Sequence, residues 1–225
     1  MRRFSWLILA LSLTGLCAGL SAQAANPGSN SQDNAFFAGP GTHDATLNGA
    51  PLLPGTAILQ GETVQTSPGG VVVMAPTHGS GGVLELSGNS SATVHTGNVS
   101  NAVGTDQLMV SKGNAVVTGG IAVVTPQGQT FQPANDTTSY VVNADGQQTS
   151  MGVISGSVNT LQPRAANAPS TAPDPPPVVV QAGAGIQVNT TITGQIQLSN
   201  IRLNQVVQPS TQAAVPQTTT ASQSQ

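Results

Sequence analysis

From about Ala45 to Leu161, short apolar runs recur roughly every eight to twelve residues, separated by Gly, Pro, Asn and Asp. That spacing predicts a succession of short β-strands. The runs are Thr56–Leu59, Thr63–Thr66, Val71–Ala75, Val83–Ser87, Ala92–Thr96, Gln107–Ser111, Ala115–Val117, Ile121–Thr125, Thr138–Asn143 and Thr149–Ser155. In Gly82-Val83-Leu84-Glu85-Leu86 an acid sits between two leucines. Side chains alternate across a strand, so Leu84 and Leu86 are expected to face a core and Glu85 to face solvent. Beyond the N-terminal segment, no stretch carries a helix-length apolar stripe.

The flanking segments divide the chain. Arg2 and Arg3 precede a continuous apolar run from Trp6 to Leu16, and Ala22-Gln23-Ala24 gives the small-x-small pattern of a signal-peptidase site. The run is shorter than the roughly 20 residues that span a bilayer. A cleaved signal peptide over residues 1–24 follows, and with it export from a bacterial-type cell. Phe4-Ser5-Trp6 fits a twin-arginine signal poorly. Cys17 follows Leu16, a poor neighbour for lipidation, so it reads as part of the discarded peptide. Residues 25–45, with Asn26-Pro27-Gly28 and Gly39-Pro40-Gly41, read as a flexible leader pinned by Phe36 and Phe37.

The β domain is expected over residues 46–161. Pro163, Pro169, Pro173 and Pro175-Pro176-Pro177 then mark an extended linker over 162–177. A second strand-like stretch, 178–207, contains Ile186–Ile192 and Gly194–Leu198 with good alternation. About 30 residues seldom build a core unaided. This stretch must therefore pack on the main domain, pair with another chain, or stay unordered. Residues 208–225, rich in Thr, Gln, Ser, Ala and Pro, read as a disordered tail.

Composition narrows the function. The whole chain carries a formal net charge of −3. Without Arg2 and Arg3, three cations (Lys112, Arg164 and Arg202) face eight acids, a formal charge of −5. Three scattered cations cannot neutralise a track of phosphates, which excludes nucleic acid as a partner and disfavours anionic lipid. Once the signal peptide is removed, no cysteine or tryptophan remains, so no disulfide or thiolate metal site forms. A core must come from Val, Ile, Leu and Ala, supported by Phe36, Phe37, Phe131 and Tyr140.

Groups with catalytic potential are sparse. His43-Asp44, His78 and His95 lack the spacing that brings three or four metal ligands together. Ser111 and Lys112 are adjacent, which on a strand sends their side chains to opposite faces. Glu62 and Glu85 each stand alone among apolar neighbours, and Gly183-Ala184-Gly185 precedes no helix. Asn89, Asn98, Asn135 and Asn189 begin Asn-x-Ser/Thr triplets, which chance supplies in a chain of this composition. No residue is assigned a catalytic, cofactor-binding or metal-binding role, no cofactor is expected, and the chain is expected not to be an enzyme.

An internal echo carries the remaining information. Val64-Gln65-Thr66-Ser67-Pro68-Gly69-Gly70 and Val123-Val124-Thr125-Pro126-Gln127-Gly128 both place Val-x-Thr ahead of a Pro- and Gly-containing turn. Thr138-Ser139-Tyr140-Val141-Val142 and Met151-Gly152-Val153-Ile154-Ser155-Gly156-Ser157-Val158 follow. This order resembles the FecR domain, with its Thr-Pro-x-Gly turn, Thr-x-Tyr-x-Val strand and closing Gly-x-Val strand. Leu53-Pro54-Gly55 and Ile58-Leu59-Gln60-Gly61 resemble the start of that domain, so the likeness covers Gly49 to Leu161. Thr66 and Thr125 suit a last strand position, Pro126 fixes φ in the turn, and Gly69, Gly70 and Gly128 accept positive φ. Tyr140 is expected to bury its ring and keep its hydroxyl wet.

The regulator that gives the family its name has a cytoplasmic sigma-factor-binding segment and a membrane helix ahead of this domain. Here a signal peptide stands in their place, so the resemblance implies a stand-alone exported domain without the sigma-regulatory role. The expected fold is all-β, a jelly-roll-like sandwich or a short β-coil. The expected function is a non-catalytic binding or scaffold module of the bacterial cell envelope, periplasmic or at the surface. Its partner would be an envelope protein or a second copy, met by strand pairing, with no membrane span after cleavage. The alternative is a self-associating, adhesin-type structural β protein.

Overall fold

The runs at Thr63–Thr66 and Val71–Ala75 prove to be two halves of one long strand, and that pattern organises the molecule. In a computed structural model of the chain, the described residues are 36–77, 81–95, 107–163, 173–190 and 196–206. Fifteen strands join in one sheet: β1 (Phe36–Ala38), β2 (His43–Leu47), β3 (Ala50–Pro51), β4 (Ala57–Ile58), β5 (Thr63–Pro76), β6 (Gly82–Val94), β7 (Gln107–Gly119), β8 (Ala122–Val124), β9 (Thr130–Pro133), β10 (Ser139–Ala144), β11 (Gln148–Ser155), β12 (Ser157–Leu161), β13 (Val178–Gln181), β14 (Ala184–Thr190) and β15 (Ile196–Arg202). One helical turn, α1 (Leu203–Val206), follows. The protein is all-β. Residues 1–24, read as a signal peptide, residues 208–225, read as a tail, and most of the expected linker lie outside the described residues, as do His78, Asn98 and Arg164.

Strand register shows how the sheet folds over. β5, β6 and β7 form an antiparallel meander, and each carries an interruption: at Ser67–Gly70 in β5, between Ser87 and Ser91 in β6, and beside Lys112 and Gly113 in β7. On one side of these corners, β7 residues 113–118 pair with β10. On the other, residues 107–109 pair in parallel with β8. The free edge of β7 is thus shared, and the sheet forks into β8–β9–β12–β13 and β10–β11–β14–β15. The two branches turn together again at Gly156, between β11 and β12, and at Ala182-Gly183, between β13 and β14. The result is the sandwich alternative: two layers over one core, made by strands that cross from one layer to the other.

Alternation supplies that core. Val64, Val72 and Met74 of β5, Leu84, Leu86, Ala92 and Val94 of β6, and Leu108, Val110, Ala115 and Val117 of β7 all point inward. Glu85 is exposed between Leu84 and Leu86, as expected. Each fully buried Leu, Ile or Val side chain contributes about 1.5–3 kcal/mol by leaving water.

The corners need small residues. A Cβ on Gly113 (φ +90°) would overlap Ser90, whose buried hydroxyl occupies that space. That hydroxyl donates to the Ser87 carbonyl at 2.6 Å and accepts from the Asn114 amide at 2.9 Å. The second corner repeats the device, because a Cβ on Gly156 (φ +77°) would come 2.7 Å from the Thr138 hydroxyl.

Several expectations change. Residues 36–45 do not behave as a leader: Phe36 is fully buried, β1 pairs with β4 and β5, and β2 pairs with β5. The two phenylalanines are adjacent and so face opposite ways, which leaves Phe37 exposed. Gly128 has positive φ as expected, whereas Gly69 and Gly70 lie inside β5 and do not. Gly70 is required for close approach instead, since a Cβ there would overlap the Asp44 carbonyl. Of the three fates open to 178–207, the described part takes the first. β13 pairs with β12, β14 pairs with β11, and Val180, Ile186 and Val188 join the core.

Candidate interaction surface

The side chains with chemical potential are dispersed over the fold. His43 is exposed and hydrogen-bonds the Gly41 carbonyl at 2.7 Å, while Asp44 sits beside it with φ at +49° where β2 bulges. His95 is half-buried just after β6. Glu62 ties a turn, accepting from the Leu59 amide at 2.7 Å and from Asn48 at 3.1 Å. Ser111 donates to the Ser91 carbonyl at 3.1 Å, and Lys112 points to solvent on the other face. Asn135 turns its oxygen onto the Thr137 amide and the Thr138 hydroxyl, closing the β9–β10 turn. Among the described residues, no three His, Cys, Asp or Glu side chains converge as a metal site would need.

Tyr140 departs from expectation most clearly. The whole residue is buried, and its hydroxyl donates to the Ile121 carbonyl at 2.7 Å. Burial pushes the phenol far above its ordinary range, opposed in part by a backbone hydrogen bond with Val123. Tyr140 therefore fastens β10 to the residue just ahead of β8, across the fork, and is unavailable to a ligand.

Shallow grooves lie among the described residues at two places. One of about 430 Å3 lies between Asp44, Pro51 and Ser67 at the β2–β5 corner. The other, of about 200 Å3, lies on the outer face between Asn114, Val116, Val141 and Val206. Val206 reaches that face because α1 folds back over β11. Gly152 makes room for it, since a Cβ there would meet Leu203 and Val206. Neither groove holds a charged cluster or a convergent set of hydrogen-bonding groups.

The edges of the sheet differ much more from one another. Among the described residues, β3, β4, β13 and β15 each pair on one side only. β4 is two residues long; β3 is two residues long and ends in Pro51. β13 is four residues long and follows Pro175-Pro176-Pro177. Short strands and prolines are the usual means of blunting an edge. β15 has neither: it runs seven residues, Ile196-Gln197-Leu198-Ser199-Asn200-Ile201-Arg202, with no proline, lysine or acid.

The phase of the ladder says which groups β15 leaves open. Thr190 N–H donates to the Gln147 carbonyl at 3.3 Å, so the even-numbered residues of β14 bond toward β11 and the odd-numbered ones toward β15. At the other end, Leu203 N–H donates to the Gly183 carbonyl at 3.2 Å, which sets the same phase. Gln197, Ser199 and Ile201 therefore bond to β14. Ile196, Leu198, Asn200 and Arg202 turn their N–H and C=O groups outward, with their side chains on the core face. Leu198 packs partly against the core, and Ile196 is 36% exposed.

Sequence reasoning singled out 178–207 as strand-like. It could not rank the edges, because which strands lie outermost is decided by pairing between residues far apart in the chain.

No family model matches the chain, and no curated protein does. Among solved structures, one crystal structure described as a candidate anti-sigma factor from Parabacteroides distasonis ATCC 8503 matches with 18% identity and a TM-score of 0.43. That match covers 64% of this chain and 62% of the other. A second structure with the same description matches with 19% identity and a TM-score of 0.35, over 72% of this chain and 62% of the other. The chain thus spans less than two thirds of the length of either.

Proposed function

We propose that the chain is a non-catalytic, exported binding or scaffold module of the bacterial cell envelope, which engages its partner by accepting a strand at β15. The observation that carries this reading is the contrast among the four edges. Three are blunted, and one is a seven-residue strand whose four outward-directed residues leave their backbone groups open, without a proline or an acid. Strand addition gains affinity from main-chain hydrogen bonds and specificity from alternate side chains. Both resources are present at β15, the second in Ile196 and Leu198. The signal-like N-terminus and the resemblance to the FecR domain support an envelope setting. The dispersal of the titratable groups supports a role without catalysis.

Deleting 178–207 is not a usable test, because Val180, Ile186 and Val188 belong to the core and the domain would lose its packing with them. Point changes at the outward-directed positions are better. The processed chain and its Asn200→Lys variant, which places a charge on the free edge, are each used for affinity capture from the native envelope after mild cross-linking. The expected result is one dominant partner with the unchanged chain and loss of that partner with Asn200→Lys. Equal capture by both would overturn the reading.

The same edge also favours the second reading, a self-associating structural protein. In that case the captured species is the protein itself and not a foreign one.

A further inference from the structure

We infer that the strand accepted at β15 is the β15 of a second copy of this chain, paired antiparallel about a two-fold axis at Ser199. This inference rests on the reading of β15 as the binding edge and names its occupant.

The first argument is register. With Ser199 facing Ser199 of the second copy, Ile196 lies opposite Arg202 and Leu198 opposite Asn200. All seven residues are then paired, which a shift of two in either direction does not achieve. The outward-directed residues Ile196, Leu198, Asn200 and Arg202 meet one another in this register. Each such pair exchanges both of its N–H···O bonds, so about eight main-chain bonds form across the axis. The odd-numbered residues, already bonded to β14, face each other without needing new partners.

Charge is the second argument. Arg202 is the only charged residue in β10, β11, β14, β15 and α1 together. In the two-fold register the two Arg202 side chains stand about 20 Å apart, at opposite ends of the joint. Each lies beside the Ile196 of the other copy, where its methylenes cover apolar surface and its guanidinium reaches water. The net negative charge of the chain is carried elsewhere, by Asp44, Glu62, Glu85, Asp136 and Asp145 among others, so two copies meet here without acid facing acid.

The third argument is access. α1 turns back over the outer face onto Gly152 and away from the free edge, so the helical turn that follows β15 does not cover it. Side-chain faces match as well. Paired residues point to the same side of a sheet, so Ile196 and Leu198 of both copies extend the core face across the axis.

The experiment uses the full processed chain, whose sequence after residue 24 has no cysteine. Sedimentation over a range of concentrations reads the association, and Ser199→Cys reads the register. Facing residues bonded inward sit about 4.5 Å apart at Cα, which a disulfide spans, so Ser199→Cys should give a covalent dimer under mild oxidation. Gln197→Cys, four residues from its own copy in this register, should not. Asn200→Pro removes an outward N–H and no bond to β14, so at concentrations too low for association it should leave the thermal transition in place. It should weaken association at least about tenfold, the loss of a hydrogen bond or two.

A chain that stays monomeric at every concentration would overturn the inference. Cross-linking through Gln197→Cys as readily as through Ser199→Cys, or association that Asn200→Pro leaves unchanged in strength, would do the same. Envelope capture separates this failure from that of the broader reading. A monomer that still captures a foreign protein through β15 sinks only the second-copy inference, whereas a monomer that captures nothing sinks both.

Discussion

The Tyr140 hydroxyl donates to the Ile121 carbonyl at 2.7 Å inside the core, joining β10 to the chain just ahead of β8 at the point where the sheet forks. The ring is fully buried and the phenol is held protonated by that burial. Removing the hydroxyl leaves a buried carbonyl without its donor, so Tyr140→Phe should cost about 1–3 kcal/mol in urea unfolding. A neutral result would mean that the bond adds nothing to the fold.

The same burial sets an alkaline limit. Because the folded state holds the Tyr140 proton more tightly than the unfolded chain, its contribution is complete below the ordinary tyrosine value near 10. Above that pH the unfolded chain ionises first, and stability should fall by up to about 1.4 kcal/mol per pH unit. The chain has one tyrosine, so phenolate absorbance reports it directly. Absorbance and unfolding should rise together in the wild type, and Tyr140→Phe should lack this part of the alkaline slope. Ionisation at the ordinary pH with the fold intact would contradict the burial.

Ser90 and Gly113 form a matched pair at the first corner. Ser90→Ala removes the acceptor of the Asn114 amide and should destabilise by about 1–3 kcal/mol. Gly113→Ala should cost more, because it adds strain at φ +90° to overlap with Ser90. If the double variant is much less destabilised than the sum of the singles, the overlap with the Ser90 hydroxyl is the cause. Simple additivity would assign the cost to what Ser90→Ala leaves in place, the strain at residue 113 and its overlap with the Cα and Cβ of residue 90.

Phe36 tests where the domain begins. Truncating this buried ring to Ala should cost about 3–5 kcal/mol, whereas Phe37→Ala, on the exposed face, should be close to neutral. Thermal or urea unfolding compares the two directly. Equal effects would place β1 outside the core.

Gln129 is fully buried, and neither side-chain amide atom has a partner among the described residues. Gln129→Met keeps the length and removes the polar group, so it should stabilise by about 1–2 kcal/mol. A loss of stability would show that the amide is needed where it lies.

Sequence alternation made much of the scaffold legible. Leu84-Glu85-Leu86 and the run around Val72 and Met74 declared their inward faces, and the Thr125–Gly128 turn lies where its residues put it. The joining of short runs was hidden because Ser67–Gly70 and Gly88–Ser90 have turn composition yet serve as bends within continuous strands. β1 was hidden because Phe36-Phe37-Ala38 is too short to display alternation and lies among turn signals. The hydroxyl of Tyr140 was misjudged because its acceptor, Ile121, belongs to another strand junction. The open edge of β15 depends on pairing across the whole fold, so no local feature of Ile196–Arg202 announces it.

Because β5, β6 and β7 each pass through both layers, the sandwich has no seam. Peeling one layer from the other would require these three strands to break their ladders in both at once. The opening that slow amide exchange detects should therefore be a single all-or-none event across the middle of the molecule. Piecewise loosening is confined to the strands beyond the fork, where β15 can lift away alone.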